Sequence, residues 1–380
     1  MRGGRLATLI DRLPRPARRL VYQPGRMALG AWDEFVEWFN RLEISENALL
    51  LAFAVLVGIA GAFGVIAFYK LIDFAYLVFF RWPLTWLPAE SPWFTRPMIT
   101  GGAVLVAWWV MSRFAPGEDG MTVADIQRRV VRVGGRVPTR PAAVRTTAAA
   151  ITLAGGGSVG SEGPVAVLGS AAGSALAGAF RFAADRTRLL VAAGAAAAIS
   201  AAFNAPLAGA FFALEEVLVG INVAAFPVVV VASVVAAMIS RSVFGNHPAF
   251  PVPEEYSYRH VVEVAITYPL LGVIVGVVAA LFIRATARLA LRQVTPLRAW
   301  GGGAIVGLMV AGSGGLLVGT GHLAIPIDLF GTMAWWAIGL LALGKIVATS
   351  ITLGWGGSGG VFTPALYIGA ATGGAVGAAL

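Results

Sequence analysis

The sequence predicts an all-α integral membrane protein, built of many tilted and broken helices in an inverted-topology internal repeat. Three observations lead there. The chain is 58% hydrophobic and only 12% charged, about half the charged fraction of a soluble domain. Its apolar stretches are interrupted by glycine and proline, so several are too short or too long for simple perpendicular spans of about 20 residues. And one segment of the first half matches another 200 residues later without a gap.

The elements follow in order. Seven arginines face one aspartate in the first 26 residues, and no apolar core of a cleavable signal follows. Ala31–Asn40, "AWDEFVEWFN", reads as an amphipathic interfacial helix. Residues 1–43 therefore form a basic tail with its interfacial helix, and 44–380 the transmembrane domain. Candidate apolar stretches are Ala48–Phe80, Met98–Phe114, Ala142–Leu153, Leu189–Phe203, Ala224–Ile239, Val261–Ile283 and Ala304–Val318. A second basic run, Arg128–Arg140, lies two candidate spans after the first. Both runs thus fall on one side, which the positive-inside rule makes cytoplasmic. The N-terminus is then cytoplasmic, in the inner membrane if the source is bacterial. Topology accounts for the arginines without nucleic acid as a partner.

The formal net charge is +9 and there is no cysteine, which excludes disulfides, thiolate metal sites and cysteine nucleophiles. His247, His260 and His322 fall at unrelated spacings, so no metal and no cofactor is expected.

The repeat pairs Ile151–Ala175 with Ile351–Ala375, identical at twelve of 25 positions, among them Ile-Thr-Leu, Ser158/Ser358 and Pro164/Pro364. The first repeat covers about 44–245; the second begins near 246 and is incomplete at 380. Each copy has an apolar helix, a glycine cluster, and a proline that restarts a helix in its first turn. Non-helical backbone at membrane depth must be buried in protein or line a cavity. A helix starting there presents unpaired N–H groups and the positive end of its dipole. Two such ends make an anion site without a full positive charge.

Glu162 stands at the start of the first restarted helix, and an intramembrane carboxylate marks function. It can occupy the anion site itself, be displaced by a free anion, or take a proton and leave. Capping alone would be met by Ser or Asn at lower desolvation cost. Phe362 holds the matching position in the second half. "FNAPLAGAFFALEEV", Phe203–Val217, restarts a helix after Pro206 and closes it with Glu215 and Glu216, a proton antenna or ordinary interface carboxylates.

These residues resemble the CLC family of chloride channels and chloride/proton exchangers. Glu162–Pro164 with its preceding glycines is similar to the family's gating-glutamate motif, Gly-x-Glu-Gly-Pro. Gly360–Pro364, "GVFTP", is similar to its Gly-x-Phe-x-Pro motif, and Ser200–Glu216 to the segment with the paired glutamates. The resemblance runs from about Ile44 to the C-terminus. It implies that Glu162 is the gating glutamate and Glu216 the inner proton-transfer residue, present in exchangers and commonly apolar in channels. It implies anion contacts at Gly120, Met121, Thr122, Gly160, Gly163, Val361 and Phe362. Chloride or a similar monovalent anion, protons and the lipid bilayer are the expected partners, and a homodimer the expected assembly. The function expected is proton-coupled anion exchange, with a passive chloride channel of the same fold as the alternative. Met121 replaces the family's serine, with Thr122 the nearest hydroxyl, which leaves fluoride and nitrate open beside chloride. The family's last helices find no counterpart before Leu380, so the chain is expected to be C-terminally truncated.

An enzyme is not expected, because the glutamates lie at opposite ends of different helices without a nucleophile or metal set. "GLLALGK", Gly339–Lys345, lacks the Ser or Thr of a phosphate loop and lies in an apolar helix. Lys345 is expected to snorkel or to pair near the site. The Gly272/Gly276 spacing reads as close helix packing.

Overall fold

A computed structural model describes Glu34 and residues 45–82, 91–117, 122–218, 225–247, 261–290, 293–321 and 333–379. The expected interfacial helix, apart from Glu34, lies outside them, as do His260 and His322. The chain divides into two compact units, Met1–Leu49 and Leu50–Leu380. The site and its supports belong to the second.

Among the described residues the secondary structure is helical apart from one isolated bridge. The helices are α1 (Glu46–Tyr76, continued by a π turn Leu77–Arg81), α2 (Pro92–Phe114), α3 (Val123–Arg132) and α4 (Thr139–Ala154). Next come α5 (Glu162–Ala179), α6 (Ala184–Phe203), α7 (Pro206–Phe212, continued by a π turn Ala213–Val217) and α8 (Phe226–Phe244). The second half holds α9 (Val261–Ala290), α10 (Pro296–Gly312), α11 (Trp335–Gly354) and α12 (Phe362–Ala379). Among the described residues, five helical stretches are long and apolar enough to cross a membrane: Glu46–Arg81, Ala184–Phe203, Phe226–Phe244, Ala265–Ala290 and Trp335–Gly354. The 200-residue register recurs in the helix bounds, with α4 answering to α11 and α5 to α12.

Small residues set the packing, as between helices that have no water-driven force to join them in lipid. A Cβ on Gly169 of α5 would stand 2.1 Å from the Gly194 carbonyl of α6, and one on Gly194 2.1 Å from the Gly169 carbonyl. Gly173 meets the Leu190 carbonyl in the same way. α1 lies on this pair through Gly61 against Ala197 and Gly64 against Leu168, and on α8 through Gly58 against the Ala232 carbonyl. α10 crosses α2 through Gly303 at Thr100 and Gly307 at Arg96.

Two expectations are corrected. Ala304–Val318 is not one span: α10 ends at Gly312 because Gly314 (φ +63°) and Gly315 (φ +93°) turn left-handed. Gly272 and Gly276 of α9 pack against no helix of this chain among the described residues, since a Cβ on either would meet nothing within 4 Å. α9 instead exposes Ile266, Val273, Val277 and Ile283, an apolar face suited to lipid.

Candidate anion site

The glycine clusters break both helices by the same means. Gly156 (φ +90°) and Gly356 (φ +108°) adopt a conformation that only glycine takes without strain. The next amides fold back, Gly157 N–H onto the Thr152 carbonyl (2.9 Å) and Gly357 N–H onto that of Thr352 (2.8 Å). Then the halves bind each other reciprocally. Ser158 N–H donates to Thr352 Oγ1 (3.3 Å) and Ser358 N–H to Thr152 Oγ1 (3.1 Å). Gly160 and Gly360 exchange both backbone hydrogen bonds at 2.7 Å, and the pairing is antiparallel. The strands of the break therefore run in opposite directions, as an inverted repeat requires.

α5 and α12 start on either side of this bridge, so two 18-residue helices bring their N-termini together. Their free N–H groups and dipole ends favour an anion between them. Contact is direct: a Cβ on Gly163 would lie 3.2 Å from Gly360 Cα.

Glu162 fills the place. Its side chain is 3% exposed. Oε1 accepts from the Ser161 hydroxyl at 2.8 Å. Oε2 accepts, at 3.4 Å, from the backbone N–H of Thr363 in the first turn of α12. The carboxylate begins α5 yet serves the opposite helix. Gly160 makes this possible, because a Cβ there would stand 2.5 Å from Oε2. The Thr363 hydroxyl is buried and finds no hydrogen-bond partner among the described residues.

Phe362 meets Phe203 and Phe212, the last residues of α6 and α7, edge to face with centroids 6.0 and 6.2 Å apart. Val361 and Phe362 are 45% and 44% exposed, so an apolar door stands beside the buried carboxylate. Of the residues expected at the anion, Gly160, Gly163 and Phe362 thus gather around Glu162, with Val361 adjoining Phe362. Gly120 and Met121 lie outside the described residues.

Thr122 and Glu216 form a second group, around α3. Thr122 caps α3, and both its N–H (2.8 Å) and its hydroxyl (2.6 Å) donate to Asp125 Oδ2. Asp125 also pairs with Arg128. The Thr122 proton is therefore directed at Asp125. Glu215 and Glu216 are exposed on the π turn after α7. Leu214 and Val217 anchor that turn in the same core as Ile126 and Val130 of α3.

Lys345 does not snorkel. Its side chain is fully buried, and Nζ donates to the Leu317 (3.1 Å) and Gly319 (2.7 Å) carbonyls. It lies 5.2 Å from the Tyr367 ring centroid. Gly319 N–H in turn donates to the Gly157 carbonyl at 3.1 Å. The buried Lys345 side chain so straps a loop of the second half to the glycine break of the first.

Sequence reasoning missed Ser161 and Thr363, which adjoin the motif residues and donate to the Glu162 carboxylate.

The family model described as voltage gated chloride channel matches residues 102–380. A ClcB-like protein of Ralstonia nicotianae is 31% identical over 345 residues, 85% of this chain and 77% of that one. An H(+)/Cl(-) exchange transporter ClcA of Vibrio campbellii is 27% identical over 313 residues, 77% of this chain and 66% of that one. The chain thus spans just under two thirds of that exchanger's length. Among solved structures, a slow cyanobacterial Cl-/H+ antiporter superposes with a TM-score of 0.68 at 24% identity, over 84% of this chain and 76% of that one. A CLC-type fluoride/proton antiporter does so with 0.69 at 21%, over 88% and 82%.

Proposed function

This chain belongs to the voltage-gated chloride channel family, and on that footing we propose that it exchanges a monovalent anion for protons across a membrane. It is an integral membrane protein, and chloride is the first choice of anion. The observation that carries the reading is the Glu162 carboxylate of one half bound to the first turn of the other half's helix. A free anion wants the same N–H groups, so carboxylate and anion exclude each other there. Protonation removes the charge that holds Glu162 in place, and a proton arrival becomes an anion vacancy.

Glu216 completes the cycle in this reading. An exposed carboxylate on a turn anchored against α3 takes protons from the water on the side of the basic runs, the cytoplasm. The N-terminus lies on that side, in the inner membrane if the source is bacterial, and the working assembly is a homodimer. The chain is a carrier and not an enzyme. Names among its relatives, an H(+)/Cl(-) exchange transporter and two proton antiporters, support the coupling.

The test uses the protein in vesicles under a chloride gradient, following internal pH and radiolabelled chloride together. The native chain acidifies or alkalinises the lumen as chloride moves. Glu216→Gln leaves chloride flux and abolishes the pH change. Unchanged proton movement in that variant removes Glu216 from the pathway. Chloride flux without proton movement in the native chain makes the protein a channel, and competition with fluoride and nitrate ranks the anions.

A further inference from the structure

We propose that Asn204 is a positioning residue that keeps the aromatic door at the anion site shut, by clamping the junction of α6 and α7 to the end of α8. This rests on the anion reading above and adds a residue to which that reading gives no part.

Asn204 closes α6 in the left-handed conformation (φ 57°, ψ 35°), where glycine is the residue usually found. Asparagine is tolerated there, and its side chain reaches out to a neighbour. Oδ1 accepts from Arg241 Nε, and Nδ2 donates to Asn246 Oδ1 (3.2 Å) and to the His247 carbonyl (3.1 Å). Both amide protons are thus given. Arg241 belongs to the last turn of α8, and Asn246 and His247 follow that helix. α6 and α8, both long and apolar enough to span, so end side by side. A buried bond backs the clamp, the Ser240 hydroxyl donating to the Ala201 carbonyl at 2.7 Å.

Chain continuity carries the clamp to the door. Phe203 immediately precedes Asn204, and α7 starts two residues after it at Pro206 and ends at Phe212. Phe203 and Phe212 are the two rings that meet Phe362 edge to face. Phe362 in turn precedes Thr363, whose N–H holds Glu162. With the α6–α7 junction pinned, both jambs stand still, and only the Phe362 side yields to let an anion through.

A door differs from a binding group in what it changes. Opening leads to the same bound state, so a looser door speeds entry and exit equally and leaves equilibrium affinity where it was. Asn204→Gly keeps the left-handed backbone and removes three hydrogen bonds. An opening eased by the worth of one such bond is favoured about two- to tenfold more, and chloride influx rises by that factor.

The experiment sets initial uptake of radiolabelled chloride into vesicles beside calorimetric chloride affinity of the purified full chain. The parent is Glu162→Ala, in which no carboxylate competes for the site. Asn204→Gly is added to it with Phe362 intact and with Phe362→Ala. Faster uptake at unchanged affinity, with no further rise once Phe362 is gone, supports the inference. Unchanged or slower uptake in Asn204→Gly overturns it. So does a rise that persists without Phe362, which would mean general loosening, and so does an affinity that shifts with the rate. Where Asn204→Gly does not fold, Arg241→Ala removes a single bond of the clamp from the far side and decides by the same readings. A parent that neither binds nor carries chloride overturns the anion reading itself, and this inference with it.

Discussion

Replacing Glu162 with glutamine stops proton movement while anion flux continues. The amide keeps the volume of the side chain but carries no charge and no exchangeable acid proton. It cannot compete as an anion for Thr363 N–H, and it cannot take a proton out of the site. The amide can still make neutral hydrogen bonds there, accepting from Thr363 N–H and donating to the Ser161 oxygen, but it lacks the charge that makes the carboxylate's bonds strong. A free anion therefore displaces it without waiting for protonation. Vesicle experiments should read chloride flux independent of the pH gradient, with proton flux at background. Proton flux that persists in Glu162→Gln would take the gating role away from this residue.

The second large effect is structural. Gly169→Ala brings α5 and α6 into collision, because the new Cβ would lie 2.1 Å from the Gly194 carbonyl and 2.7 Å from Ala198 Cβ. The first obstacle is backbone, which no rotamer change can move aside. Overpacking costs typically about 1–3 kcal/mol, and more where the backbone must part. About 3 kcal/mol or more is expected here. The helix that must shift is the one that starts at Glu162, so anion exchange falls with stability. Gly178→Ala on the same helix is the control. A Cβ there meets nothing within 4 Å, and alanine favours the helix by about 1 kcal/mol. Thermal melting of detergent-purified protein should drop sharply for the first variant and hold or rise for the second.

The fold and half of the site were legible in the sequence for a definite reason. Broken helices need glycine at the left-handed positions Gly156 and Gly356 and proline at the restart, residue types that local chemistry forces. The repeat then doubled each signal, and Glu162 stood out as the lone charge between glycine clusters. What could not be read was the crossing of partners. Nothing local says that Glu162 of α5 binds the N–H of Thr363 in α12, or that Ser158 and Ser358 each donate to a threonine of the other half. Those contacts depend on how closely glycine-lined helices approach, a property of pairs of helices. Lys345 is the same lesson in reverse. A lysine in an apolar helix reads as snorkelling or as pairing near the site, and the carbonyls of Leu317 and Gly319, from a loop between helices, hold it in the interior. α10 ended early because two consecutive glycines, Gly314 and Gly315, turn left-handed. That signal was present in the sequence, but hydropathy outweighed it.

The central claim is that Glu162 stands where a free anion binds. Diffraction from crystals of the Glu162→Ala variant grown in bromide tests it most directly, because bromide scatters anomalously and locates itself. An anomalous peak within hydrogen-bond distance of the Thr363 amide, where the carboxylate oxygen had been, and absent from native crystals, is the result expected. A variant whose vacated site stays empty of bromide, or a native crystal with bromide there beside an unmoved Glu162, would contradict the account.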